Sequence, residues 1–144
     1  MTIATAGADG RPWASPVWYA PASDIEFLWV SAPEARHSRN IATRPEIAIV
    51  IFDSTVPEGA AEALYLEGAA QQLTPDQLPK AIAAFSSHSQ ACGDRTWTVA
   101  DVLPPARLRL YRATAASQSI LGPGDRRLPV SAKPIDDPET EEPR

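Results

Sequence analysis

The segment Glu46–Asp53 reads E-I-A-I-V-I-F-D, six apolar residues in a row between charged ends. A run of this length and β-branched content reads as a strand. It is apolar on both faces, and such a strand needs cover on both faces. Two arrangements supply that cover: a barrel wall overlaid by another layer, or a subunit interface.

The rest of the chain supplies its partners in hairpin order. Thr2–Ala6 begins as a strand, and Ala8-Asp9-Gly10 is a hairpin turn signal. Trp13–Ala20 reads as a second strand, with Pro16 arguing for an edge or a bulge. In Ile25–Ser31, Ile25, Phe27 and Trp29 share one face, and Glu26, Leu28 and Val30 share the other. Ala63–Leu73 is the next strand, with Gly68 as a bulge or close approach. Ala106–Thr114 alternates, with Leu108 and Leu110 inward and Arg107, Arg109 and Tyr111 outward. Gly122–Asp125 is a turn, and Arg126–Ser131 a last strand.

Two helices interrupt this order. Ser31-Ala32-Pro33-Glu34 fits a capping box with proline in the first turn. It opens a short helix that stops before Pro45. Thr74-Pro75-Asp76-Gln77 repeats the pattern, and the helix behind it carries Leu78, Ile82 and Phe85 as a core stripe. Ala91–Pro105 is irregular. No repeat is present, and the β-α alternation of a parallel sheet is missing. The expected fold is mainly β: an antiparallel six- or seven-stranded split β-barrel with two short helices, since closure removes exposed edges.

The chain has 144 residues, 44% of them hydrophobic, enough for one domain with one core. That domain is expected over residues 1–131, followed at 132–144 by an acidic, Pro-rich disordered tail. The chain starts almost inside its first strand, which leaves open whether a lead-in helix precedes it. The N-terminus lacks a basic region and a long apolar run, so it does not read as a secretory signal. No stretch approaches a membrane span. The single cysteine, Cys92, fits a reducing compartment, and the expected location is cytoplasmic.

Net charge is −5. The tail holds Asp136, Asp137, Glu139, Glu141 and Glu142 against Lys133 and Arg144, so it carries most of that excess. No basic face of the kind that binds nucleic acid is evident. Positive charge is nevertheless clustered: Arg36, Arg39 and Arg44 in one segment, and Arg107, Arg109, Arg112, Arg126 and Arg127 in another. Such clusters fit a local anion site; solvated strand and helix faces are the plainer alternative.

The segment Phe27–Ile41 concentrates the chemistry. A strand ends on a hydroxyl, a tight loop follows, and a helix opens with basic and polar side chains. The free amides and dipole of a helix N-terminus favour an anion by about 0.3–1 kcal/mol per charge. Arg36 and His37 sit in that first turn, where cations oppose the dipole. A phosphate between them and the backbone would explain their placement. Arg36 and Asn40 are four apart and share a face. The alternative is that Ser31 caps the helix, Glu34 closes the box and the arginines are solvated; the residues alone leave both readings open. His88 and Cys92 have helical spacing, but two ligands do not make a metal site, and no metal is expected.

The run Gly10-Arg-Pro, Ser15-Pro-Val-Trp18, Trp29-Val-Ser31, Ala35-Arg36-His37-Ser38-Arg39-Asn40-Ile41 and Arg44-Pro45 resembles the pyridoxamine 5′-phosphate oxidase-like superfamily of FMN-binding split barrels. Leu66-Glu-Gly68 and Arg109-Leu-Tyr111-Arg112 follow in the same order. The resemblance implies that Ser31, Arg36 and His37 hold the FMN phosphate, with Asn40 beside them. It places Ser15, Val17 and Trp18 along the flavin ring, partly through backbone groups. It implies an FMN-dependent oxidoreductase acting on a small molecule, and a homodimer with cofactor at the interface, which would cover Glu46–Asp53. His37 stands where the family often has lysine, which implies a weaker and pH-dependent grip. The family's second phosphate pocket would fall at Trp18 and Phe85–His88, which lack Lys and Arg, so pyridoxamine phosphate is not the expected substrate. A deazaflavin on the same fold, or a non-catalytic flavin or haem binder using His37 or His88, are the alternatives.

Overall fold

The computed structural model describes residues 1–57 and 59–130. The tail expected at 132–144 lies outside the described residues. The strands are β1 (Thr2–Ala6), β2 (Pro12–Pro16), β3 (Ala20–Pro21), β4 (Glu26–Ser31), β5 (Glu46–Phe52), β6 (Ala63–Gln72), β7 (Arg109–Gly122) and β8 (Arg126–Pro129). The helices are α1 (Arg36–Thr43) and α2 (Leu78–Ala91). All pairings are antiparallel, and the sheet runs β2-β1-β5-β6-β7-β4-β3, with β8 as a hairpin on β7.

The predicted strand Trp13–Ala20 is split in two. β2 and β3 are the opposite ends of the sheet order, yet only Val17, Trp18 and Tyr19 lie between them. The four steps from Pro16 to Ala20 reach at most about 14 Å. Seven strands laid flat would hold their edges roughly 29 Å apart. The sheet therefore has to curl until its edges approach, and the result is a mainly β, antiparallel split barrel. Main-chain bonds between Met1 and Val17 fasten β1 to this crossing.

Within the single chain, the strand covered on both faces is β4, while β5 is covered on one. Phe27 and Trp29 point into the barrel with Ile3, Ile49, Leu66 and Tyr111. Leu28 points the other way, beneath α2, with Leu78, Ile82, Phe85 and Leu110. Each such side chain contributes about 1.5–3 kcal/mol by its burial. Ile25, grouped with Phe27 and Trp29 on one face, lies before the strand and is 38% exposed. Tyr111, expected outward, is buried, because both faces of β7 are covered: Leu110 faces α2, and Tyr111 stacks on Trp29, centroids 5.7 Å apart. In β5, Ile47 and Ile49 are core while Ala48 and Phe52 on the opposite face are exposed in the single chain.

Gly68 marks the β-bulge expected of it. The β6–β7 register shifts there, and a Cβ would stand 2.1 Å from the Thr114 carbonyl oxygen. The irregular stretch after α2 contains a short 3-10 turn, Val99–Asp101, closed by a capping box between Thr98 and Asp101 that the sequence reading missed.

Candidate functional site

β4 ends on Ser31, and Ala32–Ala35 turn the chain into α1. The capping box expected from Ser31 and Glu34 does not form. The residue before the helix is Ala35, no side chain caps the first-turn amides, and no acidic residue lies in that turn. Ser31 is still part of the sheet, paired with Arg109, and its hydroxyl has another partner.

That partner is His37. Ser31 Oγ lies 2.6 Å from His37 Nε2, and Ser15 Oγ lies 3.2 Å from Nδ1 on the other edge of the ring. The imidazole is buried, and burial holds its pKa below the usual histidine range. A neutral ring has one N–H and one lone pair. One hydroxyl must therefore donate to it while the other accepts. With the proton on Nε2, Ser31 accepts from the ring and keeps its own O–H to donate outward, while Ser15 donates to Nδ1.

Arg36 and Asn40 lie along the α1 face above β1 and β2, in different states. Asn40 is buried, and its amide donates to Thr5 Oγ1 at 2.9 Å. Thr5 Oγ1 in turn donates to the Trp13 carbonyl. The Arg36 guanidinium is exposed and lies 4.3 Å from the Trp13 ring centroid.

Ser31 and His37 border a cavity of about 680 Å³ between the β4–α1 joint, the β2–β3 crossing and the end of α2. Val17 and Trp18 line it as well, Trp18 being 91% exposed. Of the residues singled out in the sequence, Ser31, His37, Val17 and Trp18 thus share one cavity. Ser15 stands behind His37, and Arg36 and Asn40 flank the joint.

Sequence reasoning missed Tyr19 as a neighbour of the same cavity, which Trp97 and His88, the latter named only as a haem alternative, also line. A signal for His88 existed: it stands three residues after Phe85 and continues the inward stripe of α2. Its Nε2 is 3.6 Å from Cys92 Sγ. Among the described residues no group of three His, Cys, Asp or Glu converges as a metal centre would require.

The second arginine cluster disperses into separate local contacts. Arg109 donates to the Ala106 and Leu108 carbonyls, Arg112 pairs with Glu26, and Arg127 lies over Tyr65 beside Asp125. Only the first cluster borders a helix N-terminus.

The curled sheet and its strand–helix joint define a split barrel with a cavity beside its seam. The pyridoxamine 5′-phosphate oxidase family profile matches residues 1–115, and the chain belongs to that family. No curated protein matches the sequence. Among solved structures, a heme binding protein from Mycobacterium smegmatis is similar at 23% identity and a TM-score of 0.70, over 90% of this chain and 51% of that one. HutZ, the heme storage protein from Vibrio cholerae, is similar at 21% identity and a TM-score of 0.63, over 83% of this chain and 82% of that one. An F420 reductase follows at 21% identity and a TM-score of 0.57, over 82% and 86%. The chain spans about half the length of the mycobacterial structure, and at these identities the likeness concerns the fold.

No helix among the described residues is long and apolar enough to cross a membrane.

Proposed function

We propose that this protein binds FMN and is an oxidoreductase acting on a small molecule other than pyridoxamine phosphate. The observation that carries this reading is the uncapped N-terminus of α1, with Arg36 on one side and the Ser31–His37–Ser15 relay on the other. Uncapped amides and an exposed guanidinium suit a phosphate dianion, and with the His37 proton on Nε2 the Ser31 hydroxyl is free to donate to it too. The cavity beside them is within the usual range for cofactor pockets and has Trp18 at its margin to lie against a flat ring.

His37 fits as a neutral positioning group rather than a second cation. Its ring fixes where the Ser31 and Ser15 hydroxyls point. Val17 and Trp18 would flank the ring, and Asn40 would hold α1 on β1 without touching the cofactor. FMN, when bound, would supply the electron transfer. The chain's own groups would bind, orient and shield it.

The uncovered apolar face of β5, with Ala48 and Phe52, supports a homodimer in which a second copy covers that face. A second reading is haem binding, favoured by His88 and Cys92 side by side on the same cavity. Titration of the purified protein with FMN, a deazaflavin and haemin tests these readings together. Saturable FMN binding with a perturbed flavin spectrum is the expected result. A Soret shift lost in His88→Ala, without FMN binding, would replace the first reading by the second. Tighter deazaflavin binding would change the cofactor and keep the site.

A further inference from the structure

α1 opens at one wall of the main cavity, and α2 ends at another. The two walls differ in electrical character, because a helix favours anions at its N-terminus and cations at its C-terminus. His88 and Ser89, in the last turn of α2, line the cavity, followed by Cys92 and Asp94. Asp94 is exposed, and no other Asp or Glu lines the cavity. Its Oδ1 accepts the Arg95 amide at 2.7 Å, and among the described residues no cation pairs with it. No Lys or Arg lines the cavity either. Besides Arg36 at the α1 joint, two positive groups stand close to it, and both are engaged. The Met1 amine donates to the Val17 carbonyl, and burial holds its pKa below the usual range. Arg95 lies over the Trp97 ring, 3.8 Å from its centroid, and pairs with Asp101 at 3.1 Å.

Aromatic rings make up much of the α2 wall. Trp97 meets Phe85 edge to face with centroids 5.5 Å apart, and Tyr19 stands 6.5 Å from the His88 ring. Trp97 and Tyr19 keep part of their surface open. Such rings favour flat ligands, and their faces attract cations. A carboxylate or phosphate here would meet the Asp94 charge and the negative end of a helix, with no cation on the wall to offset them. We propose that the α2 wall is the substrate subsite, and that it takes a flat aromatic molecule with a positive charge or none and rejects acids. This rests on the reading that FMN is held at the α1 wall.

The probe is one ring in three charge states: 1-methylquinolinium, quinoline and quinoline-4-carboxylate, at pH 8 and low ionic strength. Ligand-observed NMR follows their binding to the full chain with and without saturating FMN. The cation should bind about threefold or more tightly than quinoline, and the carboxylate about threefold or more weakly, the effect of one unit charge across about 5 Å of a water-like medium. Asp94→Asn should narrow that spread, and Asp94→Lys should reverse the order. Asp94 is exposed, so both variants should fold, and both should bind FMN as wild type does. A carboxylate that binds as tightly as the cation, an order unchanged in Asp94→Lys, or no saturable binding of any of the three rings would each overturn the proposal. Ring binding that disappears when FMN is added would overturn it too, since the α2 wall would then hold the flavin itself. Failure of FMN to bind would instead remove the cofactor reading, and the charge order on the protein without FMN would still decide the character of this wall.

Discussion

Arg36→Ala separates a phosphate-reading guanidinium from a merely solvated one. A hydrogen bond from a charged donor contributes about 1.5–3 kcal/mol, or roughly 10–150-fold in Kd. The cost of holding a cation at a helix N-terminus, about 0.3–1 kcal/mol, is carried with or without ligand and so cancels in Kd. The net expectation is an FMN Kd raised about tenfold or more. The fold should hardly notice. Arg36 is exposed, and its stacking 4.3 Å from the Trp13 ring centroid is worth about 0.5–1 kcal/mol at such a site. Riboflavin carries the same ring without the phosphate, so its affinity should not change. Quenching of flavin fluorescence measures both ligands in both proteins. An FMN affinity within about threefold of wild type would refute the reasoning, since that is below the smallest contribution assigned to the contact. Equal losses for FMN and riboflavin would refute it too, by showing that the guanidinium does not read the phosphate.

Gly68→Ala places a Cβ 2.1 Å from the Thr114 carbonyl oxygen, so the β6–β7 ladder has to part; a loss of about 3 kcal/mol or more is expected in urea unfolding. Phe85→Ala empties the space under α2 and should cost about 3–5 kcal/mol in the same measurement. Burial lowers the His37 pKa, so the unfolded chain takes up a proton first as pH falls. Its contribution to stability is complete above the ordinary histidine value of 6.5 and drains away as pH falls towards the folded value. His37→Gln should flatten that acid-side slope, and an unchanged slope in urea melts across this window would place the titration elsewhere. Trp18→Ala should leave stability within about 0.5 kcal/mol, given its exposure, while weakening FMN and riboflavin alike; unchanged affinity for both would remove Trp18 from the ring site.

Much of the fold was legible because local patterns carry it. Alternating apolar positions gave β1, β4, β6 and β7, and the Leu78, Ile82 and Phe85 stripe gave α2. Gly68 announced its bulge because a residue without a side chain inside a strand usually marks a close approach. The errors share one origin. Of the two covers expected for Glu46–Asp53, an overlying layer is not the one found in the single chain, because composition cannot say which strand a helix covers, and α2 went to β4. Tyr111 was given the wrong exposure because alternation cannot show that both faces of β7 are covered, Leu110 by α2 and Tyr111 by the barrel. Ser31 matched a capping box in letters, but its hydroxyl found His37 instead.

By itself, the sequence determined the elements, their antiparallel order and the family, since turn chemistry and periodicity act over a few residues. It also marked Ser31–Asn40 as the place where polar chemistry gathers. Only the tertiary structure decided what those side chains do. Ser15 meets His37 across 22 positions, and Asn40 meets Thr5 across 35. Those partners are set by the curl of the sheet, which brings both its edges to the same seam. A hydrogen bond formed across such a distance has no local signature, because the closure that creates it belongs to the whole sheet.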